Sequence, residues 1–299
     1  MDKQQLRDKL VDEMASFVKL VSIKLPTDVE NKLQELSEKE TNILAKTIYE
    51  TMKANQELAW DLKRPSCQDT GVLQFFCEVG ENLPLRAELE TLLQDATYKA
   101  TIETPLRHNS VETFQEYNTG KNVGTGSPTV LVKMIPDRSD AKIYTYMAGG
   151  GCSLPGAGTT LMPGEGYEGV VKFILDRMTS YGLNACPPLL VGVGIGTSIE
   201  TAALNSKYAL MRDVGSHNED ERAADLERRL EEGINALGVG PQGFAGENMV
   251  MGVNIVNTAR HPSVISVALN VGCWSHRRGC IILDENMDYE IISHEEDLI

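Results

Sequence analysis

Apolar residues recur at helical spacing through the first sixty positions. Leu6, Leu10, Met14, Phe17 and Val18 form one stripe. After Pro26, Thr27-Asp28-Val29-Glu30 reads as a capping box, with Leu33 and Leu36 on one face. Ser37-Glu38-Lys39-Glu40 reads as a second box, opening a helix with Ile43, Leu44, Ile48 and Met52 inward. Helical spacing returns over 85–104, at Val170, Val171, Ile174, Leu175 and Met178, and over 219–237. In that last stretch Leu226, Leu230, Ile234 and Leu237 point inward and Gly238 is the stop. Short β-like runs at Leu189–Val193, Val250–Val256, Val264–Val271 and Cys280–Leu283 predict strands. Thr129–Ile135 and Lys142–Met147 alternate and read as an antiparallel hairpin across residues 136–140. No internal repeat and no linker divides the chain. The expected fold is α+β in a single domain over 1–299. A helical scaffold covers 1–60, and small, mostly antiparallel sheets packed with helices cover 61–299.

Three turn-rich stretches interrupt this pattern. Arg64-Pro65-Ser66-Cys67-Gln68-Asp69-Thr70-Gly71 sets a thiol, an amide, a carboxylate and a hydroxyl between Pro and Gly, which predicts a loop. Residues 148–166 are rich in glycine and irregular, and a loop that long inside a domain is usually functional or disordered. Gly192-Val193-Gly194-Ile195-Gly196-Thr197-Ser198 fails the dinucleotide pattern G-x-G-x-x-G, because Thr197 stands where the third glycine belongs. That run reads either as a plain tight turn or as a helix N-terminus offering N–H groups to a carboxylate.

Charge narrows the function. With 43 acidic and 28 basic residues among 299, the formal net charge is −15. Nucleic acid requires a basic face and is excluded as an expected partner. An anionic ligand would need local Arg, His or N–H groups set against this background. No apolar run is long enough to span a bilayer, and the charged start does not read as a secretory signal. A cytoplasmic protein is expected.

Six cysteines stand at 67, 77, 152, 186, 273 and 280, with no Cys-x-x-Cys spacing. Disulfides are not expected in that compartment. Spacing leaves two readings open: inert core thiols, or a metal centre assembled from distant loops. Cys67, Cys186 and Cys273 share a context, each lying beside Pro or Gly at a loop junction.

Cys-Gln-Asp-Thr-Gly at 67–71, Pro-Leu-Arg-His-Asn at 105–109, Ala-Cys-Pro-Pro at 185–188 and Gly-Cys-Trp-Ser-His-Arg-Arg-Gly at 272–279 resemble the class I iron–sulfur hydro-lyases. That family contains class I fumarate hydratase and L(+)-tartrate dehydratase, and the resemblance covers nearly the whole chain. Gly-Gly-Gly-Cys-Ser-Leu-Pro-Gly at 149–156 and Glu-Gly-Tyr-Glu-Gly-Val-Val-Lys-Phe at 165–173 are similar to the tartrate dehydratase α-subunit branch. The resemblance implies a 4Fe–4S cluster on Cys67, Cys186 and Cys273, with one iron lacking a protein ligand and open to a substrate hydroxyl. It implies that Gln68, Asp69, Arg107 and a glycine of the 149–151 run, Gly150, face a small dicarboxylate. Asp69 is the candidate for proton handling. Family members with a single chain carry a further C-terminal domain, so the expected partner is a separate β subunit in an α2β2 heterotetramer. The implied reaction is L(+)-tartrate to oxaloacetate and water, and the alternative is fumarate/malate interconversion. A different class, an iron–sulfur regulatory or electron-transfer protein, would have no use for Arg107 and Gln68 beside the cluster.

Overall fold

The computed structural model describes residues 2–299. Three helices open the chain: α1 (Lys3–Ile23), α2 (Thr27–Lys39) and α3 (Ile43–Leu62). They are followed by β1 (Val72–Gly80), α4 (Leu89–Glu103), β2 (Val111–Glu112), β3 (Tyr117–Asn118), β4 (Thr129–Ile135) and β5 (Ala141–Ala148). The glycine-rich stretch forms α5 (Gly150–Ser153) and β6 (Ala157–Leu161), and α6 (Gly166–Tyr181) comes next. The remainder is β7 (Leu189–Gly196), α7 (Ile199–Met211), α8 (Glu221–Asn235), β8 (Val250–Asn257), β9 (Ile265–Gly272), β10 (Arg278–Leu283) and β11 (Tyr289–Ile291). The α+β expectation holds. No helix among the described residues is long and apolar enough to cross a membrane.

The chain divides into two compact units. The first comprises Met1–Thr27, Asn55–Gly149 and Arg277–Ile299. Its sheet has the order β11-β10-β5-β1-β4, antiparallel except for the β1–β4 pair. The α1 stripe packs on α4, β5 and β10. Leu10, Met14, Phe17 and Val18 join Phe75, Val79, Leu93, Ile143 and Ile281 in one core. Each fully buried Phe or Leu there contributes about 1.5–3 kcal/mol.

The expected hairpin does not form. Both β4 and β5 pair with β1, which lies between them. β1 is the more deeply buried strand, so it takes the central place while the mostly exposed β4 forms the edge. The 136–140 connection instead crosses the end of β1. There the Gly80 N–H donates to the Asp140 carbonyl at 2.8 Å, and the Asn82 N–H donates to that of Arg138 at 3.0 Å. A Cβ on residue 80 would lie 2.3 Å from the Arg138 carbonyl oxygen, so the crossing requires glycine.

The second unit comprises Asp28–Ala54 and Gly150–His276. Its sheet has the order β6-β9-β7-β8, with β7–β8 parallel and the other pairs antiparallel. Part of the 148–166 stretch is therefore regular, since β6 pairs with β9 from Ala157↔Leu269 to Leu161↔Ile265. The second capping box is also misplaced. Ser37 lies inside α2, and α3 begins at Ile43. The buried Glu40 carboxylate accepts the N–H groups of Thr41 and Asn42, and Asn42 Oδ1 accepts those of Leu44 and Ala45. That register turns Ala45, Tyr49 and Met52 inward and leaves Ile43 and Leu44 exposed.

The glycines of the 192–198 run serve packing. α7 lies directly on β7, and a Cβ at Gly194 would sit 1.9 Å from the Ala202 carbonyl oxygen. Gly194→Ala is therefore expected to lower stability by about 1–3 kcal/mol. Gly164→Ala, where nothing lies within 4 Å, should change it by less than about 0.5 kcal/mol. Urea denaturation of both variants checks this.

Candidate active site

The 64–71 turn is held from several sides within the first unit. The Arg64 N–H donates to the Ala59 carbonyl at 3.0 Å and the Ser66 N–H to that of Ser22 at 2.9 Å. Asn55 Nδ2 donates to the Ser66 carbonyl at 2.8 Å. At the exit Gly71 has φ +83°, and a Cβ there would lie 2.8–2.9 Å from Ala148 backbone atoms. Only glycine allows both the left-handed conformation and that approach.

Asp69 is the best-anchored of the expected site residues. Its Oδ1 accepts the Gly71 N–H at 3.1 Å and Asn109 Nδ2 at 3.0 Å. Asn109 Nδ2 also reaches the Gly71 carbonyl at 3.0 Å. Asp69 Oδ2 lies 3.3 Å from where a Cβ on Gly149 would stand, so the glycine leaves room beside the carboxylate. Arg277 Nη2 donates to the Asp69 main-chain carbonyl at 2.8 Å. The same turn carries the 105–109 segment, since Thr70 Oγ1 accepts the Arg107 N–H at 3.1 Å. Below it, Asn122 Nδ2 donates to the Arg107 carbonyl and Oδ1 accepts the Asn109 N–H.

These anchors shape an open depression of about 450 Å³, lined by Arg64, Pro65, Cys67, Gln68, Thr70, Pro105 and Arg107. Arg64 and Arg107 are exposed, and neither side chain makes an ion pair among the described residues. Two unpaired guanidinium groups beside a thiol and an amide suit a carboxylate ligand, which Arg can grip with two parallel N–H bonds. Gln68, Asp69, Arg107 and Cys67 thus share one neighbourhood. Reasoning from the sequence missed Arg64 and Asn109, which stand inside the quoted stretches, and their role there is visible only from the contacts. Arg277, inside the 272–279 motif after Cys273, reads from sequence either as tuning a cluster or as holding its loop, and the structure adds its bond to the Asp69 carbonyl.

In the second unit, Cys186 is exposed at φ 58°, after the short turn Gly182–Ala185. Its carbonyl accepts the Trp274 N–H at 3.1 Å, which joins the Cys186 segment to the residue after Cys273. Cys273 is buried at the end of β9, and Gly150 opens α5 with an exposed backbone. None of the six cysteines is in a disulfide. Among the described residues no three His, Cys, Asp or Glu side chains are grouped as ligands of a single metal ion.

The other thiols differ in character. Cys77 sits in the first core, where burial pushes its thiol up to about 12. A thiol held protonated is a poor ligand and a poor nucleophile. Cys280 and Cys152 are also buried. In metal-free protein, iodoacetamide at pH 7–9 is expected to modify Cys186 and Cys67 while leaving Cys77 and Cys280 unmodified. Raising the pH through 9 should not bring Cys77 into reaction, because its titration lies far above that range. Peptide mass mapping reads the outcome.

Comparison with known proteins gives the family. The family model described as Fumarate hydratase (Fumerase) matches residues 11–281. The L(+)-tartrate dehydratase subunit alpha of Escherichia coli strain K12 is 52% identical over 293 residues, covering 98% of this chain and 97% of that one. The protein of the same name from Shigella boydii serotype 4 is 52% identical with the same coverage. The relatives are named for hydro-lyase reactions, in which water is eliminated from adjacent carbons to form a carbon–carbon double bond or is added across one. The chain therefore belongs to the fumarate hydratase family.

Proposed function

We propose that this chain is the α subunit of an L(+)-tartrate dehydratase, converting L(+)-tartrate to oxaloacetate and water. The observation that carries the reading is the depression at the 64–71 turn. It sets Cys67, Gln68 and two unpaired arginines together in a chain of net charge −15. The name of the Escherichia coli relative supports tartrate as the substrate.

The donor set fits a 4Fe–4S cluster held by Cys67, Cys186 and Cys273. All three are thiols outside any disulfide and stand at loop or strand ends, whereas Cys77 is sealed in a core. A buried guanidinium with unpartnered nitrogens, that of Arg277, stands next to the turn that carries Cys67. Such a group suits an anionic neighbour. When bound, the cluster supplies a Lewis-acidic iron without a protein ligand, which makes a substrate hydroxyl a better leaving group.

The chain's own residues do the rest. Arg107 grips one carboxylate, and Gln68 donates an amide N–H to the substrate. Gly150 lets backbone N–H groups approach. Asp69, its carboxylate oriented by Asn109 and the Gly71 N–H, handles the proton from the carbon next to the departing hydroxyl. Loss of that proton and of hydroxide leaves an enol, which tautomerises to oxaloacetate. The whole chain acts as one functional domain. A separate β subunit in an α2β2 assembly supplies the remaining substrate contacts, as the designation "subunit alpha" of the relatives suggests. The fumarate hydratase description of the family model keeps fumarate/malate interconversion as the second reading.

Anaerobic reconstitution with the β partner, followed by EPR of the reduced protein, tests this. A cubane signal is expected that shifts with L(+)-tartrate and is lost in Cys67→Ala. A shift with malate and fumarate alone would move the assignment to fumarate hydratase, and absence of any cluster would overturn the iron–sulfur reading. Separately, Arg107→Ala should lower kcat/KM about 10- to 150-fold, the loss expected for one charge-assisted hydrogen bond of about 1.5–3 kcal/mol. Steady-state kinetics on the assembled enzyme measure it.

A further inference from the structure

Arg277 is 1% exposed, one of the largest fully buried side chains in the protein. Burying a charge is costly unless an opposite charge and hydrogen bonds compensate it. At Glu227 the fold meets that condition. Glu227, equally buried, pairs with Arg212 at 2.7 Å and accepts the N–H groups of Ile255 and Asn218. Arg277 does not follow that pattern. Its Nη2 donates to the neutral main-chain carbonyl of Asp69 at 2.8 Å, while Nε and Nη1 are buried without a hydrogen-bond partner among the described residues. It forms no ion pair among them.

The site of this uncompensated charge is specific. The Arg277 carbonyl accepts the Met147 N–H at 3.0 Å, fixing its backbone to β5. Its Nη2 and Asp69 Oδ2 lie 3.9 and 3.3 Å from the same point, the place of a Cβ on Gly149. The guanidinium thus grips the main chain of the residue two positions after Cys67, near its carboxylate but without an ion pair to it among the described residues.

We infer that Arg277 is the counter-cation of the anionic group that the Cys67 turn holds, and that it positions Asp69 through its main chain. This rests on the iron–sulfur reading above. Three thiolates and a cubane carry net negative charge, which hydrogen bonds and nearby cations stabilise. Burial of Nε and Nη1 from water favours such a built-in anion over a diffusing carboxylate as the standing partner.

The test compares wild type, Arg277→Gln and Arg277→Lys as anaerobically loaded proteins with the β partner, using an EPR-monitored redox titration. Thermal unfolding is measured on both loaded and metal-free forms. Removing the cation should disfavour the reduced cluster. Arg277→Gln is expected to shift the reduction equilibrium tenfold or more toward the oxidised form, about 59 mV for one electron. Arg277→Lys should restore most of that shift. Metal-free Arg277→Gln should unfold no earlier than metal-free wild type, because it has lost an uncompensated buried charge, while the loaded variant should unfold earlier. An unchanged potential with a raised KM for the dicarboxylate would overturn the inference and assign the charge to substrate. An unchanged potential with equal destabilisation of both forms would also overturn it and leave a packing residue. A wild-type protein that takes up no cluster would overturn the iron–sulfur reading itself, a result distinct from failure at Arg277 alone.

Discussion

The turn at 64–71 closes against the end of β5 through a contact between main chains, and the candidate chemistry depends on it. Residue 71 must adopt φ +83° and must bring its backbone against Ala148, where any Cβ would be 2.8–2.9 Å from main-chain atoms. Side chains yield to such crowding, but backbone does not. With that contact made, Asp69 falls beside Gly149, and Asn109 bridges the Asp69 carboxylate and the Gly71 carbonyl. Thr70 takes the Arg107 N–H, so the second motif is registered on the first. Asn122, at 5% exposure, ties that segment through two hydrogen bonds and anchors it to α4 by donating to Thr101 Oγ1. The neutral links are each of modest strength, about 0.5–1.5 kcal/mol net, and those to the Asp69 carboxylate about 1.5–3 kcal/mol, and their value lies in orientation more than stability.

Electrostatics then separates this turn from the rest of the surface. Elsewhere several half-buried cations face acids: Arg7 meets Asp95, Lys99 meets Asp12, and Arg138 meets Asp140, which holds the Asp140 carboxyl below its usual range. Arg86, Arg177, Arg229 and Arg260 also make no ion pair among the described residues, so what marks this turn is the gathering of such arginines beside a thiol and an amide. Arg64 and Arg107 are two such cases on the rim of one depression, and Arg277 is a buried one at its base of support. Cations kept from the chain's own acids remain available to an anionic ligand, at the cost of the pairing energy forgone.

Much of the local structure was legible from residue order. The stripe from Leu6 to Val18, the strands expected after Pro188, at 250–256 and at 264–271, and the helix ending before Gly238 follow the expected spacing, although Leu237, expected inward, lies past the helix end at Asn235 and is exposed. Errors arose where a local pattern had two physical outcomes. Ser37-x-x-Glu40 matches a capping box, yet Glu40 instead turns its buried carboxylate to the N–H groups of Thr41 and Asn42. β4 and β5 alternate like hairpin partners, yet the apolar β1 takes the place between them. Gly192 and Gly194 look like a ligand-binding turn and instead let α7 lie on β7.

The residues themselves determine the α+β class, the loop character of Cys67–Gly71 and the resemblance that names the family, because propensity, turn chemistry and motif order are local properties. Strand order, the neighbours of Asp69 and the uncompensated charge of Arg277 were decided only by the tertiary structure. Arg277 and Asp69 are 208 positions apart in the chain. Whether a buried cation has a partner depends on which distant segments the packing brings to it, and no local pattern encodes that.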